Sequence, residues 1–435
     1  MTNAFNTEAA RALGGPDWLR DRRVAAVDRL LDTQFPTSSE EIWRYSRIDD
    51  LDLTAYRPLT DIEMGAPGDE PVPGGGPVAA EVGERAGLVV VRDGRVVRHE
   101  VDERLATQGV RVCDLATCDL DDVRDWLGAT SDASSDYFTV LHDAFLAGGA
   151  CIIVPDGVVL ERPIVVLHWA DLEGVASFPH TLVVAGAGSE VAVVERHGSP
   201  NIDHLAIGVT EVVVGDNAHV RHLCVQEHGS KTVSIMLQRS HLGRDATLRS
   251  SAVALGGHYS RLRVESFLGG ERAESDLLAV YFGDRDQMHD FRTLQDHAAP
   301  RTRSELLFKG AVEDTARSVY SGMIHLRTDA QKSQAYQTNR NLVLTEGAGA
   351  ESIPNLEIEA DDVRCSHAST VGPIDDDQLY YLETRGVHPK DAERLIVLGF
   401  FEDVFAKLPV PSLAGALRRA VHEKVGHLHG AVDNG

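Results

Sequence analysis

From about residue 150 to residue 370 the chain alternates apolar and polar positions in short runs, strand after strand, with scarcely a helical period among them. Glycines mark a rhythm in these strands: Gly186, Gly215, Gly243 and Gly270 stand 29, 28 and 27 residues apart. Each is followed three positions later by a small residue, Ser189, Ala218, Ala246 or Ala273, and the first three by an apolar one two positions further on, Val191, Val220 or Leu248. Strand and glycine turn recurring at roughly 20–50 residues predict a solenoid, because one coil cannot bury its inner face until the next stacks on it. With no helix in the repeat, the solenoid is a β-helix. A sandwich of hairpins with the same spacing is the competing arrangement, and the rhythm favours the β-helix.

The flanks read differently. In DWLRDRRVAAVDRLL, Trp18, Val24, Val27, Leu30 and Leu31 fall near one helical face. Ser38 and Glu41 have capping-box spacing ahead of Trp43 and Tyr45, which predicts a second helix. Residues 63–81 are too rich in Pro and Gly to pack and read as a flexible linker. Asp93-Gly94 is placed to turn a hairpin within LVVVRDGRVVRHEV. After Pro373 the period becomes helical: QLYYLETR stops at Gly386, PKDAERLIVLGFFEDVFAKL follows, and SLAGALRRAVHEKVGHL comes last. The expected organisation is a helical region over 1–62, the linker 63–81, a mixed lead-in over 82–149, the β-helix over 150–372 and a helical domain over 373–435.

Composition narrows the function. With 43% hydrophobic and 25% charged residues in 435, the chain reads as globular. A formal net charge of -25 with scattered basic residues repels polyphosphate backbones, so nucleic acid is excluded as a partner. The N-terminus has no apolar stretch of signal-peptide length and no segment approaches a membrane span, which predicts a cytoplasmic protein with no membrane partner. Five spread cysteines without a CxxC pair predict reduced thiols, not a disulfide framework.

The candidate chemistry lies in DDVRCSHASTVG. Cys365 and His367 stand two apart on a strand and so share a face, which makes them either a ligand pair or a buried thiol beside a satisfied imidazole. His219, His222, Cys224 and His228 form a second His/Cys patch, but His219 points away from His222 and Cys224, against a single site. No GxxxxGK[ST] loop is present, so the chain has no ATP site of its own. In the middle tail helix, Leu398, Phe401, Val404 and Phe405 form an apolar face and Phe400 lies off it. That is either a docking surface or the core of a helical tail, and the residues alone favour the tail.

The run NLEIEADDVRCSHASTVGPIDDDQLYYLETRGVHPKDAERLIVLGF resembles the C-terminal signature of the SufB/SufD family, scaffolds of Suf iron–sulfur cluster assembly. EEIWRYS is similar to that family's Trp-Arg/Lys-Tyr motif, and FLAGGACIIVPDGVVLERPIVV to the stretch entering its β-helix. The small residue Ala368 after His367 is SufD-like, where SufB chains carry glutamate; many SufD chains have glycine there. The resemblance implies a right-handed parallel β-helix with helical domains at both ends and a scaffold rather than an enzyme. It implies pairing with a SufB-like paralogue through the β-helix edge, and a SufC-like ATPase docked on the C-terminal helices at Leu398, Phe400, Phe401, Val404 and Phe405. It assigns His367, with Cys365 beside it, to transient iron or a nascent cluster shared with the SufB partner. FAD, a ligand in the wider family, is an expectation for the complex tied to no residue here. A homodimer is the alternative assembly of the isolated chain. Other readings are a SufB-type chain that accepts sulfur itself, or a polysaccharide-acting β-helix enzyme, which the acidic charge disfavours.

Overall fold

The computed structural model describes residues 4–59, 84–118, 123, 126–128 and 136–425. The linker expected at 63–81 and the last residues of the expected final helix lie outside them. No helix among the described residues is long and apolar enough to cross a membrane.

The chain is mainly β, and its centre is a two-sheet parallel solenoid with helical segments on either side of it in sequence. Each coil contributes one strand to each sheet, and each strand pairs in parallel with the strand one coil earlier. One sheet ends in Arg317–Leu326 and Gly349–Ile358, the other in Gln334–Val343 and Arg364–Gly372. Val220 sits in register with Val191 on one side and Leu248 on the other, so the three apolar positions of the sequence rhythm form one buried column.

The glycine rhythm is a turn repeated at the same corner. The amides of Ser189, Ala218, Ala246 and Ala273 each donate to the carbonyl three residues back, at Gly186, Gly215, Gly243 and Gly270. The third residue of each turn has a left-handed backbone: Gly188, Asn217, Asp245 and Arg272. Glycine is needed at 215, where a Cβ would lie 2.9 Å from the Ala185 carbonyl oxygen of the preceding coil. The corner continues past the last rhythmic glycine at Ala299–Thr302 and Ala330–Ser333, where Arg301 and Lys332 take the left-handed position.

Helices cover the outer faces of the sheets. Asp17–Asp32 and Tyr137–Phe145 pack with Phe178, Leu205, Ile207 and Ile235 over one sheet. Leu31 of the expected face is exposed, and Leu19 and Ala26 are buried in its place. Asp93-Gly94 turns the expected hairpin with both residues at positive φ. The helix expected after Ser38 is only the single 3₁₀ turn Glu41–Trp43. Ser38 gives its amide and hydroxyl to Asp49 and not to Glu41, so no capping box forms. Trp43 is instead buried beneath the Arg261 guanidinium, 3.8 Å from its ring centre.

The tail consists of Asp376–Thr384, Pro389–Phe405 and Ala414–Val425. It covers the outer face of the second sheet, where Phe401, Val404 and Phe405 are buried against Val225, Val253, Val280 and Phe282. The expectation that these three residues face an ATPase is therefore corrected. The helix is apolar on that side because the sheet beneath it is apolar too. Leu398 and Phe400 are half-buried, and Leu395, Tyr380 and Tyr381 are exposed.

Candidate functional site

Stacking stops at the strand Arg364–Gly372, which pairs on one side only, with Gln334–Val343. Its last paired register runs Cys365 to Ala335, His367 to Gln337 and Ser369 to Asn339. Strand alternation gives Cys365, His367 and Ser369 a common face, as the spacing predicts. Below this coil the equivalent positions are buried, yet His367 and Ser369 are exposed, because no further coil covers them. Gly349–Ile358 likewise closes the other sheet, so both sheets end side by side in unpaired backbone donors and acceptors.

The layer beneath is polar. Asn339 and Asn341 are buried, and Tyr281 Oη donates to Asn341 Oδ1 at 2.7 Å while accepting from Asn339 Nδ2 at 3.0 Å. Ser369 Oγ donates to Ser352 Oγ and Ser352 Oγ to Asn339 Oδ1, each at 2.7 Å, which fastens the end coil to this network. Gln337, directly below His367, is 1% exposed, and its amide has no hydrogen-bond partner among the described residues.

The two candidate ligands sit in different surroundings. Cys365 is half-buried in an apolar group with Ile324, Leu326, Ala330, Ala335, Leu356 and Val363. Burial pushes its thiol pKa up, so the sulfur is protonated at neutral pH and must lose a proton to bind a metal. His367 is exposed. Among the described residues, neither belongs to any group of three His, Cys, Asp or Glu side chains close enough to share an ion. Cys365 and His367 thus offer a thiol and an imidazole without, among the described residues, the further nearby ligands an iron site requires.

The other expected patch separates as the strand period predicts: His222, Cys224 and His228 are buried, and His219 is exposed. Sequence reading missed a group of three thiols. Cys113 and Cys151 face each other across an antiparallel pair, and Cys118 joins them, its sulfur 2.9 Å from that of Cys113. The Cys118 thiol pushes Cys113 up to about 12, and burial adds to this, so the Cys113 sulfur holds its proton. Only the antiparallel pairing brings Cys151 to the other two, and nothing in their spacing signals it. Also unforeseen, His325 lies near the open end with Glu357 and Glu359, the two acidic residues of the alternating stretch LEIEA.

The family model described as "SUF system FeS cluster assembly, SufBD core domain" matches residues 168–400, more than half of the chain. An iron-sulfur cluster assembly SufBD family protein of Mycobacterium tuberculosis is 35% identical over 263 residues, 58% of this chain and 65% of that protein. The alignment thus spans less than two thirds of the mycobacterial protein. The iron-sulfur cluster assembly protein SufD of Bacillus subtilis is 28% identical over 433 residues, 94% of each chain. A SufBD family protein of Staphylococcus epidermidis is 25% identical over 424 residues, 94% of this chain and 90% of that one.

Proposed function

This chain belongs to the SufBD family of Suf-system iron–sulfur cluster assembly proteins, and from that premise we propose that it is a SufD-type scaffold subunit completed by a SufB-type chain. The observation that carries the reading is the bare end coil: an exposed imidazole on an unpaired strand edge, with too few ligands close beside it among the described residues. A SufB-type chain pairing along that edge would bring its own ligands opposite His367. Ferrous iron and sulfide are then substrates held between two chains. An incomplete set on each side suits a scaffold, which must release what it builds. His367 Nδ1 or Nε2 offers a lone pair to iron, and Cys365 joins as its thiol proton leaves. FAD remains a proposal for the assembled complex and has no residue assigned to it.

Co-expression with SufB-type and SufC-type proteins tests this directly. The expected product is a complex of all three that carries iron and acid-labile sulfide. Recovery of this chain only as a homodimer, with the other two absent, would contradict the proposal.

An ATPase docked on the tail would meet the side turned away from the solenoid, where Tyr380, Tyr381 and Leu395 are exposed and Leu398 and Phe400 form the margin. Exchanging Tyr381 and Leu395 for Asp together is expected to weaken capture of the SufC-type ATPase by about tenfold or more. The thermal midpoint of the isolated chain should stay unchanged, since both residues lie in solvent. Undiminished capture would move the docking surface elsewhere.

A further inference from the structure

Where the lead-in joins the solenoid, three thiols converge that the scaffold reading does not use. Cys113 lies on the strand Arg111–Asp114, and Cys151 stands opposite it on the antiparallel strand Ala150–Val154. A tight turn then brings Cys118 back to them. The amides of Thr117 and Cys118 donate to the Asp114 carbonyl at 3.0 and 2.9 Å, and Asp114 Oδ1 accepts from the amides of Ala116 and Gly149 at 3.0 and 3.1 Å. One aspartate thus ties the turn carrying Cys118 to the start of the strand carrying Cys151.

The Cys113 and Cys118 sulfurs are 2.9 Å apart, and all three sulfurs lie within 4.8 Å of one another. One central atom bonded to sulfur at about 2.3 Å sets its sulfurs roughly 3–4 Å apart, which falls inside those limits. Among the described residues no carboxylate or imidazole belongs to the group, so the donors are sulfur alone and select a soft ion. The surroundings decide its charge. Cys151 is fully buried with Leu115, Leu146, Leu182 and Val184, while Cys113 and Cys118 are half-buried at the margin, within reach of a small solute. Three thiolates around a monovalent or divalent ion stay anionic, which is costly against an apolar wall, whereas a trivalent centre makes the product neutral. The thiols also hold their protons: Cys118 pushes Cys113 up to about 12, and hydrogen bonding with Cys113 and Cys118 raises Cys151. A ligand that brings its own base removes that obstacle.

We propose that Cys113, Cys118 and Cys151 form a tris-thiolate site for a trivalent thiophilic metalloid, arsenic(III) or antimony(III), taken up as the neutral hydroxide. Three metalloid–oxygen bonds break and three metalloid–sulfur bonds form. Each thiol proton leaves with a hydroxide as water, and the metalloid stays trivalent, so no electrons are transferred. Once bound, it crosslinks the turn to both strands, beside the parallel pairing of Ala150–Val154 with His180–Ala185. The proposal is independent of the scaffold reading and of His367.

Arsenite is the probe. The full chain is reduced with a phosphine, desalted under nitrogen and titrated with arsenite, and native mass spectra and thermal midpoints are recorded. One arsenic should bind per chain with a mass gain of one arsenic less three hydrogens, and the midpoint should rise. Cys113→Ser, Cys118→Ser and Cys151→Ala should each weaken binding by about tenfold or more, because every attachment after the first is intramolecular. Cys224→Ala should bind like the parent, since that thiol is outside the group. Cys118 sits at the margin, so Cys118→Ser keeps the test open if Cys151→Ala fails to fold. No adduct on the reduced parent, an adduct that keeps a hydroxyl and has lost only two thiol protons, or undiminished affinity in folded Cys118→Ser overturns the proposal.

Discussion

Val220→Asp is expected to leave little folded chain. Val220 is 1% exposed and stacks in register between Val191 and Leu248 in an interior cluster of apolar residues. Sealing a new carboxylate away from water costs on the order of 4 kcal/mol or more, a large part of the stability of an ordinary domain. Val191→Asp should behave alike, because it occupies the same place one coil earlier. His219→Ser, on the outward face of the same strand, should be nearly silent. Soluble yield and denaturant midpoints compare the three. Val220→Asp and Val191→Asp chains as stable as the parent would mean that the repeated corner does not organise the interior.

Phe401→Asp should detach the tail from the solenoid. The Phe401 ring is fully buried, with Phe405 at 6.5 Å and Phe400 at 5.2 Å between ring centres, and it shares a cluster with Val280, Phe282, Leu417 and Val421. Losing a buried phenylalanine costs about 3–5 kcal/mol, and the added charge makes this worse. The expected outcome is a lower thermal midpoint and rapid proteolysis after Pro373, while Leu395→Asp changes neither. Association with the ATPase would then fail in Phe401→Asp because the helix is displaced, not because a contact residue is missing. A Phe401→Asp chain with the parent midpoint and a protease-resistant tail would show that this helix face does not rest on the solenoid.

How far the sequence carries the structure depends on which constraint acts on which residue. The corner at Gly215 is legible because backbone from the neighbouring coil forbids a side chain there. The same corner at Ala299–Thr302 and Ala330–Ser333 escapes notice because Arg301 and Lys332 hold the left-handed position, so the geometry outlasts the glycine that announced it. Strand alternation predicts the shared face of Cys365 and His367. Their differing exposure depends on whether another coil stacks above, which the strand's own residues do not encode. The tail misled for a related reason. Phe401, Val404 and Phe405 are plainly apolar, but where they pack depends on the outer face of the sheet. A signal was present: strands such as ESDLLAVYFG, with a buried run from Leu277 to Gly283, carry apolar residues on both faces and so need cover on both. Cys151 joined Cys113 and Cys118 through long-range antiparallel pairing, which spacing cannot anticipate.

The central claim is that the end coil is half of a shared assembly site, and His367→Ala tests it most directly. The variant is purified in complex with SufB-type and SufC-type partners, and iron and acid-labile sulfide are measured per complex. Removing an exposed imidazole adds no bulk and disturbs no buried contact, so the complex should assemble with its usual subunit ratio. Iron and sulfide should fall by about tenfold or more, with a smaller loss in Cys365→Ala and no further loss in the double variant if both act in one step. A His367→Ala complex with undiminished iron and sulfide would contradict the account.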